Sequence, residues 1–495
     1  MKRLVAILLL GVHSGVFAAI KLPPVLGDHM VLQRDTPVPV WGSAAPDEKV
    51  RVEFAGQTKQ TTADAQGKWQ VKLDPMPASA EPRSLSIASD RTSEPVVLTD
   101  VLVGEVWLGS GQSNMAQGGD LYVKDDAILA RRIAAGPYPQ IRLLTGDGKT
   151  WKEATSENLM KFSALHFSFG LALWNEIKTP VGLIASGLSG SASGPWVSQA
   201  AFQAVPACRA AVAESGKCPA RIGVFYEIKI RPFIPYAIRG VLWDQGEGGT
   251  DIEGVDQYTL MGALIRGWRK DWGRDFPFIY VQKPSGGGCA WDDADPVTCR
   301  AEKFAPLPAL VPNDGAYRET HIRIMNYPAT FMATSSDLGG GIHPLNKSGY
   351  GARAARVALG AVYGKPVASY GPVYKGHTVE GRKVVVRFDH VGQGLAFRHG
   401  GKLQGFALAG KDGKFEWGDA VIVGETVELT CPKIPEPVAV RYAWAAAYPW
   451  ANLFNRDGLP AMPFRTDMDR QDIQDNQMCQ DRLDGERLSG FNSSY

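Results

Sequence analysis

The chain has 495 residues, 44% hydrophobic and 21% charged, with a formal net charge of +2. That is ordinary globular composition with room for two or three domains. Nothing in the near-neutral charge suggests a nucleic-acid-binding footprint. No apolar run beyond the N-terminus approaches the roughly 20 residues needed to cross a bilayer.

The first residues carry a leader pattern. Lys2 and Arg3 precede an apolar stretch, Leu4 to Leu10, and small residues close it at Val16-Phe17-Ala18-Ala19. Residues 1–19 are predicted to be a secretory signal peptide, cut after Ala18 or Ala19. The mature chain is therefore expected to be exported, to the periplasm if the source is Gram-negative, or secreted. The six cysteines all lie beyond this segment. Cys208 with Cys218, and Cys289 with Cys299, are spaced to close short loops as disulfides in an oxidising compartment. Cys431 and Cys479 either pair or stay free. No C-x-x-C spacing points to a metal.

Residues 20–99 read as all-β. Pro37–Gly42, Lys49–Phe54 and Trp69–Leu73 alternate with near period two between turn residues, as short strands of a β-sandwich do. The two prolines of the first run confine it to a sheet edge. Asp28-His29-Met30-Val31-Leu32-Gln33-Arg34 has no role on chemistry alone.

From 100 to 368 the rhythm changes. Strand candidates are Val101–Leu108, Ile141–Leu144, Val181–Ser186, Ile238–Trp243, Phe278–Gln282 and Thr330–Ala333. Amphipathic stretches separate them. Leu260, Leu264 and Trp268 recur at i, i+4, as do Leu165, Phe169 and Leu173. Alternating strands and helices predict an α/β core with a mostly parallel sheet covered on both faces. Sites in such sheets gather at the carboxyl ends of the strands. Stretches 203–221 and 284–316 break the rhythm and are expected to be loop insertions. Residues 369–466 return to a β pattern, with Val384–Phe388 and Val438–Trp444 as strands. The tail, 467–495, is polar and is expected to be poorly ordered.

The stretch Gly109-Ser110-Gly111-Gln112-Ser113-Asn114-Met115 follows the first core strand. Glycines allow a sharp turn that presents a serine with its backbone N–H beside a reacting carbonyl. An activated serine needs a base. Of eight histidines, three fall in the α/β core: His166, His321 and His343. His166 lies in a helical pattern, and His321 has no loop signal. His343 lies in Asp337-Leu338-Gly339-Gly340-Gly341-Ile342-His343-Pro344, a glycine-rich loop after the strand Thr330–Ala333. It is expected at the same sheet edge as Ser113. Asp337 is the candidate third member; a Ser–His dyad with a backbone carbonyl holding the ring is the alternative.

The strings G-S-G-Q-S-N-M, W-D-Q-G-E, D-L-G…I-H-P-x-N-K and N-L-F-N-x-x-G-L-P together resemble the sialate O-acetylesterase-like branch of the SGNH hydrolases. The resemblance runs from about residue 23 to 466 and takes in the Asp28–Arg34 string. It implies a flavodoxin-like SGNH core flanked by β-sandwich regions. It also implies serine-dependent hydrolysis of O-acetyl groups on a sugar, either acetylated sialic acid or an acetylated plant polysaccharide such as xylan or xyloglucan. Ser113 would be the nucleophile and His343 the base. The oxyanion would be held by the N–H groups of Ser113 and Gly190 and by the side-chain amide of Gln245. Glu247 and Trp196 are the substrate-contact candidates, Glu247 orienting the amide or its loop, and Trp196 either stacking on a sugar ring or packing. No metal or organic cofactor is implied. The sequence departs from the pattern at Gly340, where many SGNH enzymes place Asp three residues before His, and at Ala116, where an acidic residue is frequent. Two other readings are an SGNH lipase or thioesterase with an apolar acyl channel, and a non-catalytic carbohydrate-binding protein on the same scaffold.

Overall fold

A computed structural model describes residues 20–145, 150–215, 221–246, 248–282 and 304–466. The leader, the tail, Cys218, Cys289, Cys299, Cys479 and Glu247 lie outside the described residues, so the disulfide expectations rest on partners not described. Cys208 and Cys431 are both buried.

The first strands are β1 (Val31–Gln33), β2 (Val38–Ser43), β3 (Lys49–Phe54), β4 (Gln57–Thr62), β5 (Lys68–Leu73), β6 (Ser79–Ser89) and β7 (Val96–Gly111). β2, which holds Pro39 and follows Pro37, pairs among the described strands with β5 alone, in register Val38↔Leu73, with one further bridge from Ser43 to Lys21. A proline has no N–H for a second neighbour, which is why this strand stays at an edge. β3 lies between β4 and β6. The boundary expected near residue 99 falls inside β7, whose first half pairs with β6 and whose second half is a strand of the α/β core.

The core continues with β8 (Tyr138–Leu144), β9 (Trp151–Ala154), β10 (Val181–Ala185), β11 (Gly240–Asp244), β12 (Phe278–Val281) and β13 (Thr330–Ala333). Its order is β13-β12-β11-β7-β10-β8-β9, parallel throughout except for the β8–β9 pair. Nine helices are described: α1 (Ser113–Ala116), α2 (Ala127–Ala134), α3 (Ser156–Lys161), α4 (Ala164–Ile177), α5 (Gln199–Ala204), α6 (Pro206–Ser215), α7 (Gln257–Trp272), α8 (Ala316–Arg323) and α9 (Lys347–Ala361). The expected helical faces are the buried ones. Leu260, Leu264 and Trp268 of α7, and Leu165, Phe169 and Leu173 of α4, are fully covered. α7 begins at an Asp256 cap and ends at Gly273 in the left-handed conformation, the usual start and stop chemistry.

After β13 come β14 (Val373–Glu380), β15 (Lys383–Asp389), β16 (Leu395–Phe397), β17 (Phe406–Ala409), β18 (Phe415–Trp417), β19 (Asp419–Val423), β20 (Thr426–Thr430), β21 (Ala439–Tyr442), β22 (Leu453–Asn455) and β23 (Phe464–Arg465). They form two four-stranded sheets and a two-stranded one, around an apolar core of their own that includes Val384, Phe406, Val427 and Leu453. The closing string Asn452–Pro460 acts as a brace. Asn455 Nδ2 donates to the carbonyls of Tyr370 and His390, and its Oδ1 accepts from Leu459 N–H.

The Asp28–Arg34 string is also explained. Glu105 on β7 is completely buried. Its carboxylate accepts from Arg34 Nε, from Gln33 Nε2 at 3.2 Å, and from Arg239 at 2.6 and 3.1 Å. Gln33 Oε1 accepts from Val106 N–H, so one buried cluster joins β1, β7 and the start of β11. Burial alone would raise the Glu105 carboxyl; the Arg239 and Arg34 charges outweigh it and hold it below its ordinary value.

His166 is the opposite case. Its ring is fully buried on α4 between Phe162 and Phe169, and neither nitrogen has a partner. Burial pushes its pKa down to about 3. The folded state thus refuses a proton that the unfolded chain takes up below its ordinary value of 6.5.

Two outcomes follow. Glu105→Ala takes the paired carboxylate away from the largely buried Arg239 guanidinium, while Arg34 keeps Asp35, and should cost about 3–5 kcal/mol in denaturant unfolding. His166 contributes its full stability above pH 6.5 and loses it as pH falls toward 3. The unfolding free energy of His166→Leu should therefore gain on the parent by up to about 1.4 kcal/mol per pH unit on acidification from pH 6 to 4.

Candidate active site

β10 and β11 flank β7 on its two sides, and the chain passes from one to the other. This is a topological switch point, where the loops leaving neighbouring strands diverge and open a crevice. Ser113 begins α1 just past the end of β7. The turn between them depends on Gly111. Its φ is +127°, and a Cβ there would lie 2.1 Å from the Asp244 carbonyl oxygen, so no other residue fits. Gln112 N–H donates to that same carbonyl at 2.9 Å, fastening the turn to β11.

His343 lies on the loop from β13 to α9 and is exposed. Its Nε2 is 2.8 Å from Ser113 Oγ, across 230 residues of sequence. Pro344 follows it, and Asn346 caps α9 by accepting from Gly349 N–H at 2.7 Å. The loop therefore has a fixed exit immediately after the imidazole.

Asp337 is fully buried, but it does not meet His343. Both its oxygens accept from Arg353 of α9, at 3.0 and 2.9 Å. The expectation that it orients the imidazole is corrected here. A guanidinium fork on the adjacent helix matches the carboxylate geometry better than a single ring N–H.

The oxyanion candidates differ from one another. The Ser113 N–H is a helix-start donor with no intrahelical acceptor. Gly190 is exposed at φ +72° with open space around it, in the loop leaving β10. That loop runs beside the nucleophile segment: Ser186 N–H donates to Gly109 O and Leu188 N–H to Gly111 O, at 2.7 and 2.9 Å. Gln245 is buried and committed elsewhere. Its Nε2 donates to the carbonyls of Ser191 and Gly249, each at 3.3 Å, and its Oε1 accepts from Ser193 Oγ and from Gln257 Nε2. With both amide hydrogens used, Gln245 is not the expected oxyanion donor. It joins the two loops that flank Ser113, reinforced by Ser193 N–H to Gly249 O and Gly194 N–H to Thr250 O.

Trp196 is also corrected. It is completely buried, edge-on to Trp243 with centroids 5.7 Å apart, and offers no face to a sugar. Its Nε1 donates to Ser191 Oγ at 3.0 Å, so it supports the same loop from beneath. Among the described residues, one acidic and histidine group is compact enough for a cation: His29, Asp100 and Glu153. Arg142 already pairs with both carboxylates there.

Sequence reasoning quoted Asn114 and Lys347 without giving either a role. Asn114 Nδ2 donates to the Ile342 carbonyl at 3.0 Å, and Lys347 Nζ donates to Asn114 Oδ1. Their position inside the most specific strings was the available signal.

A family model described as carbohydrate esterase, sialic acid-specific acetylesterase, matches residues 103–311. A carbohydrate acetylesterase from Xanthomonas citri is 33% identical, with a TM-score of 0.76; the match covers 91% of this chain and all of that one. The sialate O-acetylesterase of Homo sapiens is 27% identical over 89% of this chain and 91% of its own length. That of Mus musculus is 27% identical over 71% of this chain and 75% of its own.

The Trp196 assignment has a direct consequence. Trp196→Ala should destabilise the fold by about 3–5 kcal/mol through the cavity it leaves. Trp196→Phe should leave KM for an acetylated glycan within about twofold, a shift too small for a lost stacking contact.

Proposed function

The chain belongs to the sialic acid-specific acetylesterase family of carbohydrate esterases, and on that premise we propose that it works through a Ser113–His343 dyad. It is an ester hydrolase acting on O-acetylated carbohydrate. The 2.8 Å hydrogen bond between Ser113 Oγ and His343 Nε2, at the switch point of a parallel sheet, is the observation that carries the mechanism.

Ser113 Oγ attacks the acetyl carbonyl carbon while His343 Nε2 takes the hydroxyl proton. The tetrahedral oxyanion is held by the Ser113 and Gly190 N–H groups. The C–O bond to the sugar breaks, and His343 returns the proton to the leaving sugar oxygen. Water then attacks the acetyl-serine, with His343 as base, and acetate leaves as Ser113 regains its proton. Gln245 serves this cycle by holding the loop that carries Gly190. Asp337 contributes through Arg353 to the foundation of the His343 loop rather than through the imidazole.

The relatives named for sialate point to acetylated sialic acid; the Xanthomonas citri relative is named only for carbohydrate. Export to the periplasm or medium follows from the leader pattern of residues 1–19 and places the enzyme where glycans are met.

Acetate release should be measured from acetylated sialic acid, acetylated xylan and acetylated xyloglucan. Ser113→Ala and His343→Ala should each lower kcat by at least about 10³-fold. Asp337→Asn should keep kcat within about tenfold while lowering the unfolding midpoint, because it breaks the pair with Arg353. A collapse of kcat in Asp337→Asn without loss of stability would instead establish a triad. Activity rising with acyl chain length would overturn the acetyl-sugar reading.

A further inference from the structure

The dyad poses a problem of placement. His343 is exposed, follows three consecutive glycines, and has no carboxylate beside it among the described residues. A ring on such a loop has many conformations to lose before it meets a serine. Something must hold it.

We propose that Asn114 and Lys347 are positioning residues that lock His343 over Ser113, in place of the acid of a triad. The inference rests on the Ser113–His343 reading. Asn114 is the residue after the nucleophile and is almost wholly buried. Its Nδ2 donates at 3.0 Å to the carbonyl of Ile342, the residue before the base. That carbonyl belongs to the peptide whose nitrogen is His343 N. Fixing the peptide plane fixes where the His343 Cα–Cβ bond starts. One side-chain amide thus couples the two chain segments that must stay in register for proton transfer.

An asparagine amide can face either way, and only one orientation makes this bond. Lys347 selects it. The Lys347 side chain is completely buried, and its Nζ donates to Asn114 Oδ1. An ammonium has donors only, so it meets the oxygen of the amide and turns Nδ2 toward Ile342. The charge is accommodated where it lies. Nζ sits 4.7 Å from the Tyr122 ring centroid and 5.5 Å from that of Tyr350. The buried Asp244 carboxylate, at the end of β11, raises the pKa of both of these tyrosines through its charge, in addition to the larger effect of burial. The same anion therefore reaches the rings over which the ammonium rests. Lys347 is also the first residue of α9, directly after the Asn346 cap, so its backbone is held by the helix start.

The test is a double-mutant cycle on the full mature chain, read by kcat and KM on 4-nitrophenyl acetate and by thermal unfolding. Asn114→Asp is isosteric and keeps an oxygen for Lys347, but it removes the donor to Ile342. It should lower kcat by about 10²-fold, the scale of a misplacement near 1 Å, with KM little changed. In the His343→Ala background the same change should cost less than about twofold, because there is no ring left to place. Lys347→Met keeps the stem and should lower kcat in the same non-additive way with Asn114→Asp. An equal loss in both backgrounds would make Asn114 a general structural residue and overturn the inference, as would an unaltered kcat in Asn114→Asp. Full activity in His343→Ala would instead overturn the dyad, and this inference with it.

Discussion

Strand β7 is the constraint on which the molecule depends. Its sixteen residues serve two sheets, pairing with β6 and β1 at the N-terminal end and with β10 and β11 at the other. A one-residue slip would turn every side chain to the wrong face, and here it would break ladders on both edges at once. Glu105, half-way along, adds a buried ionic clamp to β1 and to Arg239 at the start of β11. Where β7 ends is therefore settled far from the end itself. Gly111 then makes the one turn its neighbours leave room for, and Ser113 begins α1.

The loops around Ser113 and His343 are tied together by buried side chains that carry polar groups. Gln245 joins the loops after β10 and β11, Trp196 supports the first of them through Ser191, and Asn114 reaches the loop after β13. Gln245 and Asn114 each donate to a peptide carbonyl of a neighbouring loop, and Trp196 to the Ser191 hydroxyl. Loops carry the chemistry because they are free of the ladder, and for the same reason they need such ties to keep donors and bases in place. A buried amide suits the task, since leaving either of its ends unpaired is costly.

The parallel strands of the core were legible in the sequence to within a few residues, but β9 was not, and α6 forms inside the stretch 203–221 that was expected to be a loop. Runs such as Ile141–Leu144 and Thr330–Ala333 are buried on both faces, and parallel sheets write such strands as continuous apolar segments. The distinctive strings were legible as important and less so as to purpose. Gln33–Arg34 and Asn455 are braces between segments that no spacing rule connects, because their partners stand 72 and 85 residues away. Trp196 after Gly-Pro looked equally suited to a sugar or to a core; only its neighbours, Trp243 and Phe225, put it in the core.

Composition, periodicity and the strings were enough, without coordinates, to establish an α/β core flanked by β regions and to bring attention to Ser113 and His343. Those properties are local: hydrophobic period, glycine at a turn, a histidine on a loop after a strand. Which carboxylate faces which cation was decided by the tertiary structure alone. Asp337 lies six residues from His343 in sequence, yet its partner is Arg353, because a helix brings a planar two-donor group to a place the loop does not. The commitment of Gln245 to two carbonyls and the amide bridge from Asn114 to Ile342 have the same origin. Hydrogen bonds are directional and short in range, so their partners are chosen by packing, and packing is a property of the folded chain.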